Sequence, residues 1–128
     1  LFDARRNNVY AGGYRWQEGE LQSVIPDQHV ALPTLLHALA ELHTEVLFVG
    51  ADAAKFAPQI TEAMPSAQIN HVSLWNYPNG VVLAELSETE EPVSSIHDFV
   101  PEYLKLVEAE EKWLASHTPG ADTYVEKI

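Results

Sequence analysis

Apolar and polar positions change period several times along this chain, and each change marks an element. From Asn8 to Trp16 the aromatic residues Tyr10, Tyr14 and Trp16 keep to one face of an alternating pattern; Gln17-Glu18-Gly19 interrupts it, and Leu21 to Ile25 resumes it. Alternation on both sides of a glycine-containing turn predicts a β-hairpin. Ala11-Gly12-Gly13 inside the first arm predicts a bulge or a close backbone approach. With no helix after it, that stretch lacks the anion-binding terminus of a phosphate loop. The period then turns helical. Leu32, Leu35, Leu36, Leu39 and Leu42 form a stripe, Pro33 suits a first turn in which its missing N–H has no use, and the helix is expected to end near His43.

Val46-Leu47-Phe48-Val49, stopped by Gly50, reads as a strand buried on both faces, and Asp52 as the N-cap of the next helix. That helix, over Ala53 to Met64, should bury Phe56, Ile60 and Met64, and Pro58 should kink or restart it. Gln68 to Val72 reads as a short strand. Asn79 to Leu86 reads as a helix so apolar that most of its circumference should be covered. Ser87 to Ser95, with its glutamates and Pro92, reads as a solvated linker. A last helix over Glu102 to Ser116 would put Leu104, Val107 and Leu114 near one stripe with Trp113 beside it, before Thr118-Pro119-Gly120 releases a tail.

An opening meander followed by alternating helices and strands predicts an α/β domain: a single ribonuclease-H-like lobe of the actin-like ATPase kind. Its mixed sheet would have about five strands and helices on both faces. The lobe is expected to span residues 1–116 and the tail 117–128. The start at Leu1-Phe2-Asp3, apolar and without Met, reads as the inside of a strand whose earlier part is missing.

With 128 residues, 46% hydrophobic and 20% charged, one core of ordinary size is expected. Against 19 acids stand 7 Lys and Arg, a formal charge of −12 that repels phosphate backbones, so direct nucleic-acid binding is not expected. Arg5, Arg6 and Arg15 concentrate near the start, whereas Glu85 to Glu111 is mostly acidic. The absence of Cys excludes disulfides and thiolate chemistry. No signal peptide or membrane-spanning run is read, which makes the cytoplasm the expected compartment.

Little in the pattern points to catalysis. The 6 histidines are scattered without a close ligand pair; His37 and His43 lie six apart on different helix faces. No serine sits in a Gly-x-Ser-x-Gly elbow, and Ser94-Ser95-Ile96-His97 is close in sequence without an evident orienting acid. Glu108, Glu110 and Glu111 read as a solvated helix face. Trp16, Trp75 and Trp113 supply core area or an interface anchor. Gly50-Ala51-Asp52, between strand and helix, is where a nucleotide-binding lobe would meet a phosphate, though no Gly-Lys-Ser/Thr follows.

The opening Asp3-Ala4-Arg5-Arg6-Asn7-Asn8-Val9-Tyr10-Ala11-Gly12 resembles the DAR-x-x-x-VY segment that begins the second lobe of YeaZ/TsaB proteins. Val49-Gly50-Ala51-Asp52-Ala53 is similar to that family's V-G-D/N-G-A turn, with its residues shuffled. Pro101-Glu102-Tyr103-Leu104-Lys105 resembles its P-x-YLR closing helix, with Lys105 where Arg is common. The resemblance covers the second half of the family's chain and leaves the first lobe absent. It implies a non-catalytic assembly factor, without cofactor, that supports a TsaD-type catalytic subunit together with a TsaE-type ATPase. That complex installs threonylcarbamoyl on adenosine beside certain tRNA anticodons, and the main pairing surface is expected on the absent lobe.

The signature and interface candidates carried over are Asp3, Arg5, Arg6, Tyr10, Gly50, Pro101, Tyr103, Leu104 and Lys105. For Asp3, Arg5 and Arg6, a salt-bridged strand end and a lobe or subunit interface both stand open. Pro101 is expected to fix a helix start, and Tyr103 and Leu104 to anchor that helix on the sheet. The alternatives are a nucleotide-binding lobe of an actin-like ATPase or kinase, with an anion site near Gly50, and a glycoprotease-type hydrolase. The latter follows the family's older label, for which the chain offers no metal pair, Cys or activated Ser. Self-association is open.

Overall fold

The computed structural model describes residues 1–88, 90–105 and 116. It opens with the predicted meander: β1 (Phe2–Asp3), β2 (Asn8–Gln17) and β3 (Glu20–Ala31) form a three-stranded antiparallel sheet in that order. The register pairs Phe2 with Tyr10, Tyr10 with His29, and Trp16 with Leu21. Glu18 and Gly19, at φ 55° and 88°, make the two-residue turn between β2 and β3, whose left-handed backbone matches the strand twist. The register slips on both sides of Gly13, so the glycine pair does form a bulge. A Cβ at Gly12 would lie 2.1 Å from Asp27 Oδ1, and the carboxylate there accepts a hydrogen bond from the Tyr14 hydroxyl.

Helix α1 (Leu32–Ala40) follows at once, with Pro33 in its first turn and Leu32, Leu35, Leu36 and Leu39 buried. It ends three residues short of the expected point: Glu41 closes it and His43 turns left-handed at φ 48°, which leaves Leu42 36% exposed. Strand β4 (Leu47–Phe48) pairs parallel with β5 (Gln68–Ile69). Between them, a 3₁₀ turn over Ala53–Phe56 gives way to α2 (Ala57–Ala63), and Pro58 stands in the first turn of α2. Proline thus restarts the helix, as the missing donor requires. The core joins Val9, Leu32 and Ile60 to Leu35, Leu36, Leu39, Phe48, Phe56 and Met64, so the meander, α1 and α2 contribute to one cluster.

Five expectations differ from the described structure. Among the described residues the strands pair as two separate ladders, β1–β3 and β4–β5, where one sheet of about five strands was expected. They meet at one seam, where the Leu1 main-chain nitrogen donates to Val49 O at 2.6 Å and the Asp3 N–H to Asp52 Oδ2 at 2.8 Å. Asp52 is therefore committed to β1 and makes no side-chain cap. Leu47 and Val49 are 52% and 41% exposed while Phe48 is 4% exposed, so β4 is buried on one side only. Helix α3 (Gly80–Ser87), capped by the Asn79 side chain on the N–H groups of Val81 and Val82, buries none of its residues. Its apolar circumference is uncovered among the described residues, and it contributes nothing to the core. Residues 101–105 adopt neither helix nor strand, and Tyr103 is 79% exposed, so it anchors nothing on the sheet. The rest of the expected last helix, with Val107, Trp113 and Leu114, and the tail 117–128 lie outside the described residues.

Candidate functional site

The strongest local departure from ordinary backbone lies between β1 and β2. Arg5, Arg6 and Asn7 take φ values of 66°, 52° and 60° in succession, none of them glycine. Left-handed backbone costs an L-residue about 1–2 kcal/mol, less for asparagine, so the turn persists only because its surroundings fix it. Ala4 N–H donates to Asn8 O and Asn8 N–H to Arg5 O, each at 2.9 Å. Arg5 N–H donates to Asp3 Oδ1 at 2.8 Å. Asn7 is tied to both helices: its carbonyl accepts from Leu32 N–H at 2.9 Å and its Oδ1 from Gln59 Nε2 at 3.2 Å.

Asp3 also receives the Lys55 ammonium, and these two form the one ion pair among the described residues. Lys55 first, then the Arg5 N–H, hold the Asp3 carboxyl below the ordinary carboxylate range. The strand-end salt bridge anticipated for Asp3 therefore exists, but with Lys55. Arg5 and Arg6 project from the turn, both exposed, with no carboxylate at ion-pair distance among the described residues.

A second polar cluster closes the carboxyl ends of β4 and β5, where open α/β sheets place their ligands. Gly50, at φ 122°, donates its N–H to Asn76 Oδ1 at 3.0 Å. The same oxygen accepts from Asn70 Nδ2 at 2.8 Å, and Asn70 Oδ1 accepts from Val72 N–H at 3.1 Å. Asn70 is 6% exposed and spends its amide inside this cluster. The N–H that a phosphate near Gly50 would need is thus already engaged by a side chain.

Tyr10 packs against His29 with ring centroids 5.2 Å apart. Ser94 and His97 are exposed and Ser95 half-buried on a stretch without regular structure, and no hydrogen bond joins serine to histidine among the described residues. A hydrolase needs an oriented nucleophile–base pair, which this cluster does not provide. Pro101, Tyr103, Leu104 and Lys105 are all exposed and far along the chain from the arginine turn. No group of three His, Asp or Glu among the described residues is set to hold a metal ion.

A groove of about 460 Å³ runs between α1 and α2. Leu32 and Leu36 are buried in its floor, Ala40 and Ala63 are small, and His37 and Glu62 are exposed at its edge. Neither this groove nor the left-handed turn was legible in the sequence. Asn7-Asn8 after two arginines was the available signal, since asparagine tolerates positive φ better than other residues.

No helix among the described residues is long and apolar enough to cross a membrane. No family profile matches the chain, and no solved structure matches it. Among curated proteins it is 37% identical over 116 residues to the tRNA threonylcarbamoyladenosine biosynthesis protein TsaB of Bacillus subtilis (strain 168). The aligned span is 91% of this chain and 50% of the relative. Over this span the chain is similar to a TsaB-family protein, and it covers about half the length of the relative it matches.

Proposed function

We propose that this chain is the second half of a TsaB-type subunit that supports threonylcarbamoyl modification of tRNA adenosine by binding partner proteins, without catalysing the transfer. The observation that carries this reading is the 37% identity sustained across 91% of the chain. It is supported by a site composed of a tethered arginine turn and an apolar groove, which are means of recognition. The partners are a TsaD-type catalytic subunit and a TsaE-type ATPase, the compartment is the cytoplasm, and no cofactor is required. The seam between β1 and β4 favours a ribonuclease-H-like lobe in which the two ladders lie edge to edge in the order β3-β2-β1-β4-β5. The Asn76 bond to the Gly50 N–H weighs against the nucleotide-lobe alternative.

The test replaces the TsaB-type gene of a bacterium with the full-length gene that encodes this chain and measures threonylcarbamoyladenosine in bulk tRNA by mass spectrometry. Co-purification of the host's TsaD-type protein is followed in parallel. Restored modification with a retained partner is expected. Unmodified tRNA from a well-expressed, folded protein that captures no partner overturns the reading.

A further inference from the structure

We infer that the Arg5–Arg6 turn and the α1–α2 groove form one docking surface for an amphipathic helix, rich in carboxylates at one end, on a protein partner. The inference rests on reading the chain as a subunit that works by binding, and it adds a contact on this half of the protein. Continuity between the two parts comes from Asn7. It bonds Leu32 N–H and Gln59 Nε2, and both Leu32 and Gln59 line the groove. The turn therefore stands at one end of the groove, while Glu62 borders the groove further along α2.

The charge is unusual for its setting. In a chain of formal charge −12 with only 7 Lys and Arg, two arginines stand side by side. The adjacent carboxylate, Asp3, is engaged by Lys55. Solvation of two arginines needs no left-handed backbone held from both sides. Fixing the turn before binding lowers the entropy lost when a partner arrives, and planar guanidinium groups suit carboxylates with two acceptor oxygens.

The groove supplies the other half of the recognition. Pro33, Ala40 and Ala63 give the groove exposed apolar surface above the buried Leu32 and Leu36, and the two alanines let another backbone approach closely. The cationic turn near Leu32 and the acidic Glu62 would fix which way the helix lies, because charge placement at an interface sets register more than raw affinity. An RNA strand fits less well: two arginines neutralise few phosphates, and an apolar floor offers a sugar-phosphate backbone nothing.

The experiment uses the full-length protein and two labelled synthetic helices. Both carry leucines at i, i+4 and i+7; one ends in glutamates, the other in lysines. Fluorescence anisotropy should show the glutamate-ended helix binding about tenfold more tightly. Arg5→Glu combined with Arg6→Glu should reverse that preference, while Ala40→Glu and Ala63→Glu, at exposed positions, should weaken both helices. Circular dichroism checks that each variant is folded. Equal affinity for the two helices, or a preference unmoved by charge reversal, overturns the inference, as does arginine-dependent binding of tRNA with neither helix bound. Flat helix selectivity with tRNA modification and partner capture intact would sink this inference alone. Selectivity retained while modification and capture fail would sink the functional reading alone.

Discussion

Three successive residues other than glycine hold positive φ between β1 and β2, and their side chains decide what each costs. Asn7 is the cheapest of the three, whereas Arg6 gains nothing from the left-handed region except the place it gives its guanidinium. Arg6→Gly should therefore raise stability by roughly 0.5 kcal/mol, since relief of the backbone slightly exceeds glycine's entropic penalty. Arg6→Val should lower it by roughly 1–2 kcal/mol in urea unfolding, and equal stabilities would mean that the turn relaxes freely. Gly50 presents the opposite case. At φ 122° a Cβ would meet Leu1 O at 2.3 Å, main chain that cannot step aside without opening the β1–β4 seam.

Also at this scale, the Tyr14 hydroxyl is pushed from 10.0 up to about 12 by its hydrogen bond to Asp27, with burial and the carboxylate's charge adding to it. A raised value favours the neutral phenol in the folded protein. Its contribution is complete below pH 10 and fades as the pH climbs toward 12. Phenolate absorbance should show a titration step near pH 12, and Tyr14→Phe should remove that step. Asp3 behaves with the opposite sign. Held low by Lys55, it stabilises above its ordinary value of 3.8, and that support is lost as the pH falls below it. Lys55→Met should flatten this acid limb of the stability profile.

Elements were legible in proportion to how much of their signal is local. The leucine stripe announced α1, and the aromatic alternation announced the β2–β3 hairpin, because in both a repeated side-chain period carries the burial. Strand β4 was overread. A continuous apolar run suits a strand covered on both sides, but Leu47 and Val49 face away from the cover that Phe48 enjoys. The arginine turn was singled out by its resemblance to a family motif, while its left-handed geometry depends on Leu32 and Gln59, residues remote in sequence. Helix α3 was placed within one residue at either end. None of its residues is buried or belongs to the core cluster of the described residues, so its cap should matter unusually. An eight-residue helix is marginal by propensity alone. Asn79→Ala removes the acceptor for two N–H groups and should cost about 1 kcal/mol locally. Amide exchange across Gly80–Ser87 should then accelerate while exchange in β2 and α1 is unchanged.

At the scale of the whole molecule, the apolar surface is divided between a core that closes around α1 and α2 and a second region that stays open. Val81 and Leu83 are 68% and 56% exposed on α3, and Leu74 and Trp75 just before it are 69% and 66% exposed. Large apolar side chains left this exposed and close together in sequence mark a candidate contact surface. Net charge opposes association, since −12 keeps copies apart at low ionic strength, and salt screens that repulsion within about 10 Å at 0.1 M. The 128-residue chain should therefore stay monomeric in dilute buffer and self-associate as salt is added, a trend readable by sedimentation velocity. Val81→Lys together with Leu83→Lys should suppress the association at every salt concentration and leave the far-ultraviolet spectrum unchanged, because neither side chain belongs to the core. Association that weakens with salt would instead assign it to charge pairing, and the acidic stretches meeting Arg5, Arg6 and Arg15 of another copy would become its first explanation.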